Sequence, residues 1–102
     1  VIFNPDYVLD GEVIIDEESF YTEIAKRCKF PGYFGRNLDA LNDCLFYLAK
    51  DHPGAQIWWA NVHPYLKAYA VKYEAGKDKT IKKNLLDHMK EICESHGLQF
   101  FA

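Results

Sequence analysis

Asp39 and Asp43 stand four residues apart in Pro31-Gly-Tyr-Phe-Gly-Arg-Asn-Leu-Asp-Ala-Leu-Asn-Asp-Cys-Leu45, a glycine- and aromatic-rich loop that runs into a short helix. Residues at that spacing share one helix face. Two carboxylates so placed offer either an acid/base pair or a doubly negative contact. Glycoside hydrolysis requires two carboxyl groups about 5–10 Å apart across a substrate cleft. One helix face meets the distance but supplies no cleft between the pair, and a chain of 102 residues has little room for one. No Ser/His/Asp order, phosphate-cradling glycine loop or Cys/His pairing accompanies them. Catalysis is therefore not expected.

The bland reading of Asp39 is good. With Asn37 as the helix cap, Asp39 falls in the first turn, where the helix dipole favours a carboxylate by about 0.3–1 kcal/mol. Asp43 lies beyond that turn. Phe46 and Tyr47, three and four residues further on, supply no positive charge. Like charges four apart cost an isolated helix about 0.2–0.5 kcal/mol. For the pair, the residues fit a solvated acidic face and a binding face equally. In the preceding loop, Phe34 is expected to plug the core and Tyr33 to stay exposed, as aromatics do at binding hot spots. Gly35 implies a backbone angle that other residues resist, or close approach of a partner.

The remaining reactive side chains carry less. His52, His63, His88 and His96 do not space as zinc ligands with the cysteines, so surface or helix-end roles are expected and no metal or other cofactor. Cys28, Cys44 and Cys93 make an odd count in a chain without a recognisable signal peptide, which argues for reduced thiols in the cytoplasm. Cys44, beside Leu41 and Leu45, reads as a buried structural thiol.

Three strands are expected to position the acidic helix: Ile2-Phe3 with Tyr7–Leu9, Gln56–Ala60 and Leu98–Phe101. Asp10-Gly11 closes the first, and a connecting segment leads into a helix rather than a hairpin. Asp16 caps a first helix over about 17–28, with Phe20, Ile24 and Cys28 on its inner face. Phe30-Pro31 ends it. Leu38, Leu41, Leu45 and Leu48 stripe the second helix. A third helix is expected behind Asn61, with Leu66, Tyr69, Ala70 and Tyr73 inward. The polar break Gly76–Lys79 follows. Thr80 caps a fourth, with Leu85, Leu86, Met89, Ile92 and Cys93 inward and Gly97 as its stop. Trp58 and Trp59 alternate across the central strand, and both are expected in the core. Strands separated by helical connections give an α/β fold: a three-stranded parallel sheet with about four helices and right-handed crossovers.

The composition agrees with one globular domain over residues 1–102: 49% hydrophobic, 16% aromatic, net charge −3. That sign gives no reason to expect a nucleic-acid ligand, and no apolar run reaches membrane-spanning length.

Tyr33-Phe-Gly-Arg-Asn-Leu-Asp-Ala-Leu-Asn-Asp-Cys-Leu45 resembles the signature of the barstar family, intracellular inhibitors of secreted microbial ribonucleases. The order of elements around it is similar along nearly the whole chain. The resemblance implies a monomeric, non-enzymatic protein that plugs the active site of a cationic, extracellular-type microbial ribonuclease in a 1:1 complex. Asp43 would lie in the enzyme's phosphate site and Asp39 would pair with cationic groups at the rim. Tyr33, Gly35, Asn37, Leu38 and Ala40 match contact positions, and Phe46 extends the same helix face. Glu91, or else Glu94, matches an acid of the family's last helix. Two positions depart: Asn42 stands where the family's reference member has tryptophan, and Arg36 where it has glutamate. The implied binding face is thus Tyr33, Gly35, Asn37, Leu38, Asp39, Ala40, Asn42, Asp43, Phe46 and Glu91. A barstar-like module for a different toxin or a regulatory protein is the competing expectation. A small hydrolase using the aspartate pair is a distant third.

Overall fold

Local capping chemistry sets where each helix begins and ends in the computed structural model, which describes residues 4–67, 71–74 and 80–102. α1 spans Glu17–Arg27 behind a reciprocal cap: Asp16 accepts from the Ser19 backbone N–H, and the Ser19 hydroxyl accepts from the Asp16 N–H. The Ser19 bonds hold the Asp16 carboxyl below its ordinary pKa. α1 ends with Lys29 in the left-handed region (φ 54°) and the Phe30 N–H bonded back to the Ala25 carbonyl. α2 spans Leu38–Asp51, capped by Asn37, whose side chain accepts from the Ala40 N–H at 2.7 Å. α3 spans Leu85–Ser95 and closes on Gly97 (φ 74°), with the Leu98 N–H reaching the Cys93 carbonyl.

β1 (Tyr7–Asp10), β2 (Gln56–Ala60) and β5 (Gln99–Phe101) form a parallel sheet in the order β1-β2-β5. Both steps move the same way across the sheet, so right-handed crossovers put α1, α2 and α3 on one face. Leu9, Ile57 and Trp59 point from that face into the core. There they meet Phe20 and Ile24 of α1, Leu41 and Leu45 of α2, and Leu85, Met89 and Cys93 of α3. Phe20 stacks on Trp59 with ring centroids 5.1 Å apart.

Two ties lock the strands to their neighbours. Gln56 donates its N–H to the Asp6 carboxylate, and the Gly11 N–H reaches the Ala60 carbonyl at 2.7 Å. At Gly11 the chain passes so close to the Ala60 and Asn61 carbonyls that a Cβ would collide with both. Here glycine is required for close approach.

Four sequence expectations change. The helix expected behind Asn61 is a single 3₁₀ turn, Pro64–Lys67, followed by β3 (Val71–Glu74), which pairs antiparallel with β4 (Thr80–Lys83). Apolar and charged residues alternate over Val71–Glu74, and that period of two prevails over the helical spacing read through Tyr73. The chain therefore has three α-helices among the described residues, not four. Thr80 is consequently a strand residue, and Asn84 caps the last helix by accepting from the Asp87 N–H. Finally, Trp59 is fully buried but Trp58 is 36% exposed, because its side of β2 faces away from the helices. Its in-register neighbours Val8 and Phe101 are part-exposed likewise. The strand call at Ile2-Phe3, the inward positions Tyr69 and Ala70 and the break at Gly76–Lys79 lie outside the described residues.

Candidate protein-binding site

The acidic pair sits on the outer face of α2. Leu41 and Leu45 turn inward and are fully buried, which leaves Asp39, Asn42, Asp43, Phe46 and Tyr47 facing outward. All five are exposed. Among the described residues, no hydrogen bond or ion pair engages either carboxylate; the two ion pairs there are Arg27–Glu23 and Arg36–Glu18. The negative charge of Asp39 and Asp43 is thus presented to solvent.

The loop ahead of α2 is braced from two sides. Phe34 packs edge-on against Tyr21 and Phe30, with centroids 5.9 and 5.0 Å away. This fixes the loop and leaves Tyr33 87% exposed, as expected. Gly35 does not need an unusual backbone angle, contrary to one of the two readings of it. The left-handed residue is Arg36, with φ 54°. A Cβ on Gly35 would meet Ala40 Cβ at 3.3 Å and Asn37 Nδ2 at 3.4 Å, so the constraint there is packing against the helix start.

Arg36 turns away from the acidic face. Its guanidinium donates to the Glu18 carbonyl at 3.1 Å and the Thr22 hydroxyl at 2.7 Å, and lies 3.8 Å from the Glu18 carboxylate. Its charge is therefore directed at α1 and not at the acidic face.

Of the other expected contact residues, Asn37 is the exposed cap, and Leu38 and Ala40 are half-buried, Leu38 against the core. Leu38 supports the face more than it forms it. Asn42 and Phe46 both meet His96 at the end of α3: Asn42 Oδ1 lies 2.8 Å from His96 Nε2, and the Phe46 and His96 rings are 5.7 Å apart. Glu91 and Glu94 are exposed on α3, and His96, just past the end of α3, contacts this face of α2.

Sequence reasoning missed His96, Tyr47 and Asp51. The latter two continue the row Asp39, Asp43, Tyr47, Asp51 at four-residue steps, a signal legible in the sequence. Tyr33, Asp43, Tyr47 and Asp51 line a groove of about 440 Å³ between α2 and the α1–α2 loop. Cys44 lines it too; burial and then the neighbouring Asp43 push its thiol pKa up. No group of three or more His, Cys, Asp or Glu side chains converges as a metal site among the described residues. None of their helices is long and apolar enough to cross a membrane.

These features define a small α/β domain built on a three-stranded parallel sheet, with an acidic, aromatic-edged helix face open to solvent. The chain belongs to the Barstar family, described as "Barstar (barnase inhibitor)", whose model it matches over residues 5–101. It is also similar to a Bacillus subtilis (strain 168) protein named "Putative ribonuclease inhibitor YrdF", with 42% identity over 38 residues. That match covers 37% of this chain and 42% of the relative's length.

Proposed function

We propose that this chain is a stoichiometric inhibitor of a cationic, extracellular-type microbial ribonuclease, binding it 1:1 and catalysing nothing. The observation that carries the reading is the exposure of Asp39 and Asp43 with no internal partner among the described residues. A ribonuclease active site gathers cationic side chains because it binds phosphate. A carboxylate pair one helical turn apart stands in for successive RNA phosphates, Asp43 centrally and Asp39 at the rim. Tyr33, Gly35, Asn37, Ala40, Asn42 and Phe46 form the surrounding contact surface, and Glu91 extends it on α3. Membership of a family described as barnase inhibitors and the name of the Bacillus relative support the partner class. The free thiols fit a reducing compartment such as the cytoplasm.

The test is RNA hydrolysis by barnase and a small panel of other cationic microbial ribonucleases, with and without the protein. Stoichiometric inhibition is expected. Asp43→Ala should weaken it by about 2 kcal/mol or more, since it strips a central charge from its partners. Association should slow steeply as rising salt shortens the Debye length below ~10 Å. An Asp43→Ala protein that inhibits like the parent would defeat the assignment.

A second reading keeps the same face for a different toxin or a regulatory protein. The Asn42–His96 bond favours it, because it gives this face a polar clasp where the family's reference member carries tryptophan. Recovery of a non-nuclease partner on the immobilised protein, abolished by Asp43→Ala, would establish that alternative.

A further inference from the structure

The groove beside Asp43 extends beyond the expected contact set. One wall is the turn Cys28–Pro31 with Tyr33; the other is the α2 face carrying Asp43, Tyr47 and Asp51. Its volume, about 440 Å³, falls in the roughly 300–1,000 Å³ range of binding pockets. Tyr33 and Tyr47 are 87% and 63% exposed, so their rings are accessible. Asp43 and Asp51 lie two helical turns apart, on either side of Tyr47 in the row. Lys29 is the cation on the groove, and it makes no ion pair among the described residues. Two carboxylates against one ammonium leave the lining net negative.

We propose that this groove seats an arginine side chain of the partner ribonuclease, with Tyr33 and Tyr47 flanking the guanidinium and Asp51 as an anionic anchor beyond Asp43. The inference rests on the inhibitor reading and deepens it. Arginine is the occupant because its planar cation both stacks on aromatic rings and forks onto carboxylates, whereas lysine offers a compact point charge. Continuity with the Asp39–Asp43 face places the groove where a positive surface would already be docked. Lys29 opposes the arriving charge, so it tunes affinity downward.

The experiment measures dissociation constants for whichever panel ribonuclease is inhibited, barnase first. The proteins compared are the parent and the variants Asp43→Ala, Tyr47→Ala, Tyr47→Phe, Asp51→Asn and Lys29→Ala. Thermal melts check that each remains folded; all four positions are exposed. Tyr47→Ala should weaken binding about tenfold, and Tyr47→Phe, which keeps the ring, should stay within about twofold of the parent. Asp51→Asn should weaken binding about threefold at low salt and not at high salt, and Lys29→Ala should strengthen it. If Asp43→Ala weakens binding while Tyr47→Ala and Asp51→Asn do not, the groove is refuted and the inhibitor reading stands. If Asp43→Ala has no effect, or no panel enzyme is bound, both are refuted.

Discussion

His96 Nε2 lies 2.8 Å from Asn42 Oδ1, joining the end of α3 to the exposed face of α2. An amide oxygen can only accept, so His96 is the donor in this contact. His96 also caps α3, its backbone N–H reaching the Cys93 and Glu94 carbonyls. One residue thus ends a helix and props the neighbouring acidic face. A double-mutant cycle with Asn42→Ala and His96→Ala should give a coupling of about 0.5–1.5 kcal/mol in guanidinium unfolding, the size of a net hydrogen bond. On the inhibitor reading, the same pair should also be coupled in ribonuclease affinity. Additive effects on both readouts would mean that the two side chains act independently.

Arg36 gives a second expectation. Its guanidinium clasps α1 through the Glu18 carbonyl and the Thr22 hydroxyl, while its backbone sits at φ 54°. Arg36→Ala loses the clasp but keeps the unfavourable backbone, so it should destabilise by about 1 kcal/mol. Arg36→Gly loses the same clasp and relaxes the backbone, so it should be the milder change. On the inhibitor reading, neither variant should raise the association rate with a ribonuclease, because the Arg36 charge is turned onto α1 and away from the acidic face. A several-fold acceleration in stopped-flow binding would show that Arg36 reaches the partner.

Capping and stripe patterns made most of this fold readable. Asp16, Asn37 and Gly97 each announced a helix end, and Leu41 and Leu45 fixed which side of α2 faces out, and so the exposure of Asp39 and Asp43. Reading failed where periods conflict. Leu66, Tyr69 and Tyr73 fit a helix, but Val71–Glu74 also alternates as a strand, and pairing with Thr80–Lys83 decides between them. Contacts that span the sequence were invisible. Arg36 reaches Thr22, 14 residues away, and no local pattern announces that contact. His96 lies 54 residues from Asn42, and no local pattern links them. Trp58 could not be told from Trp59 because strand alternation does not say which face the helices cover.

Glu23 supplies a prediction about stability alone. It is 4% exposed, accepts the Asp10 N–H at 2.8 Å through Oε2, and pairs through the same oxygen with Arg27 Nε at 2.9 Å. It therefore pins the end of β1 to α1 just before the tight passage at Gly11. Glu23→Ala leaves a strand N–H without its acceptor, while the part-exposed Arg27 guanidinium turns to water, and should cost about 1–3 kcal/mol. Glu23→Gln keeps an acceptor oxygen and should cost less. Urea midpoints for the two variants, with inhibition measured on the folded fraction, will separate this role from binding: the affinity of either variant should match the parent's.

The buried thiols set the alkaline limit of the fold. Burial, and then a neighbouring ionisable group (the Cys93 thiol for Cys28, the Glu94 carboxylate for Cys93), pushes both up to about 12 from an ordinary value of 9.0. A group whose pKa is raised on folding contributes stability that is intact below its unfolded pKa and is lost as pH rises towards the folded one. Between pH 9 and 12 the unfolded chain ionises both thiols while the native one keeps them neutral. Each then lowers stability by up to about 1.4 kcal/mol per pH unit. Tyr21, raised by burial and then by its hydrogen bond to Glu17, adds to the decline above pH 10. Guanidinium midpoints should thus be flat from pH 7 to 8.5 and fall beyond pH 9. The fall should be shallower in the Cys28→Ala/Cys93→Ala protein, which has a lower plateau because the cavities cost packing. Equal slopes in the two proteins would show that these thiols ionise freely in the folded state.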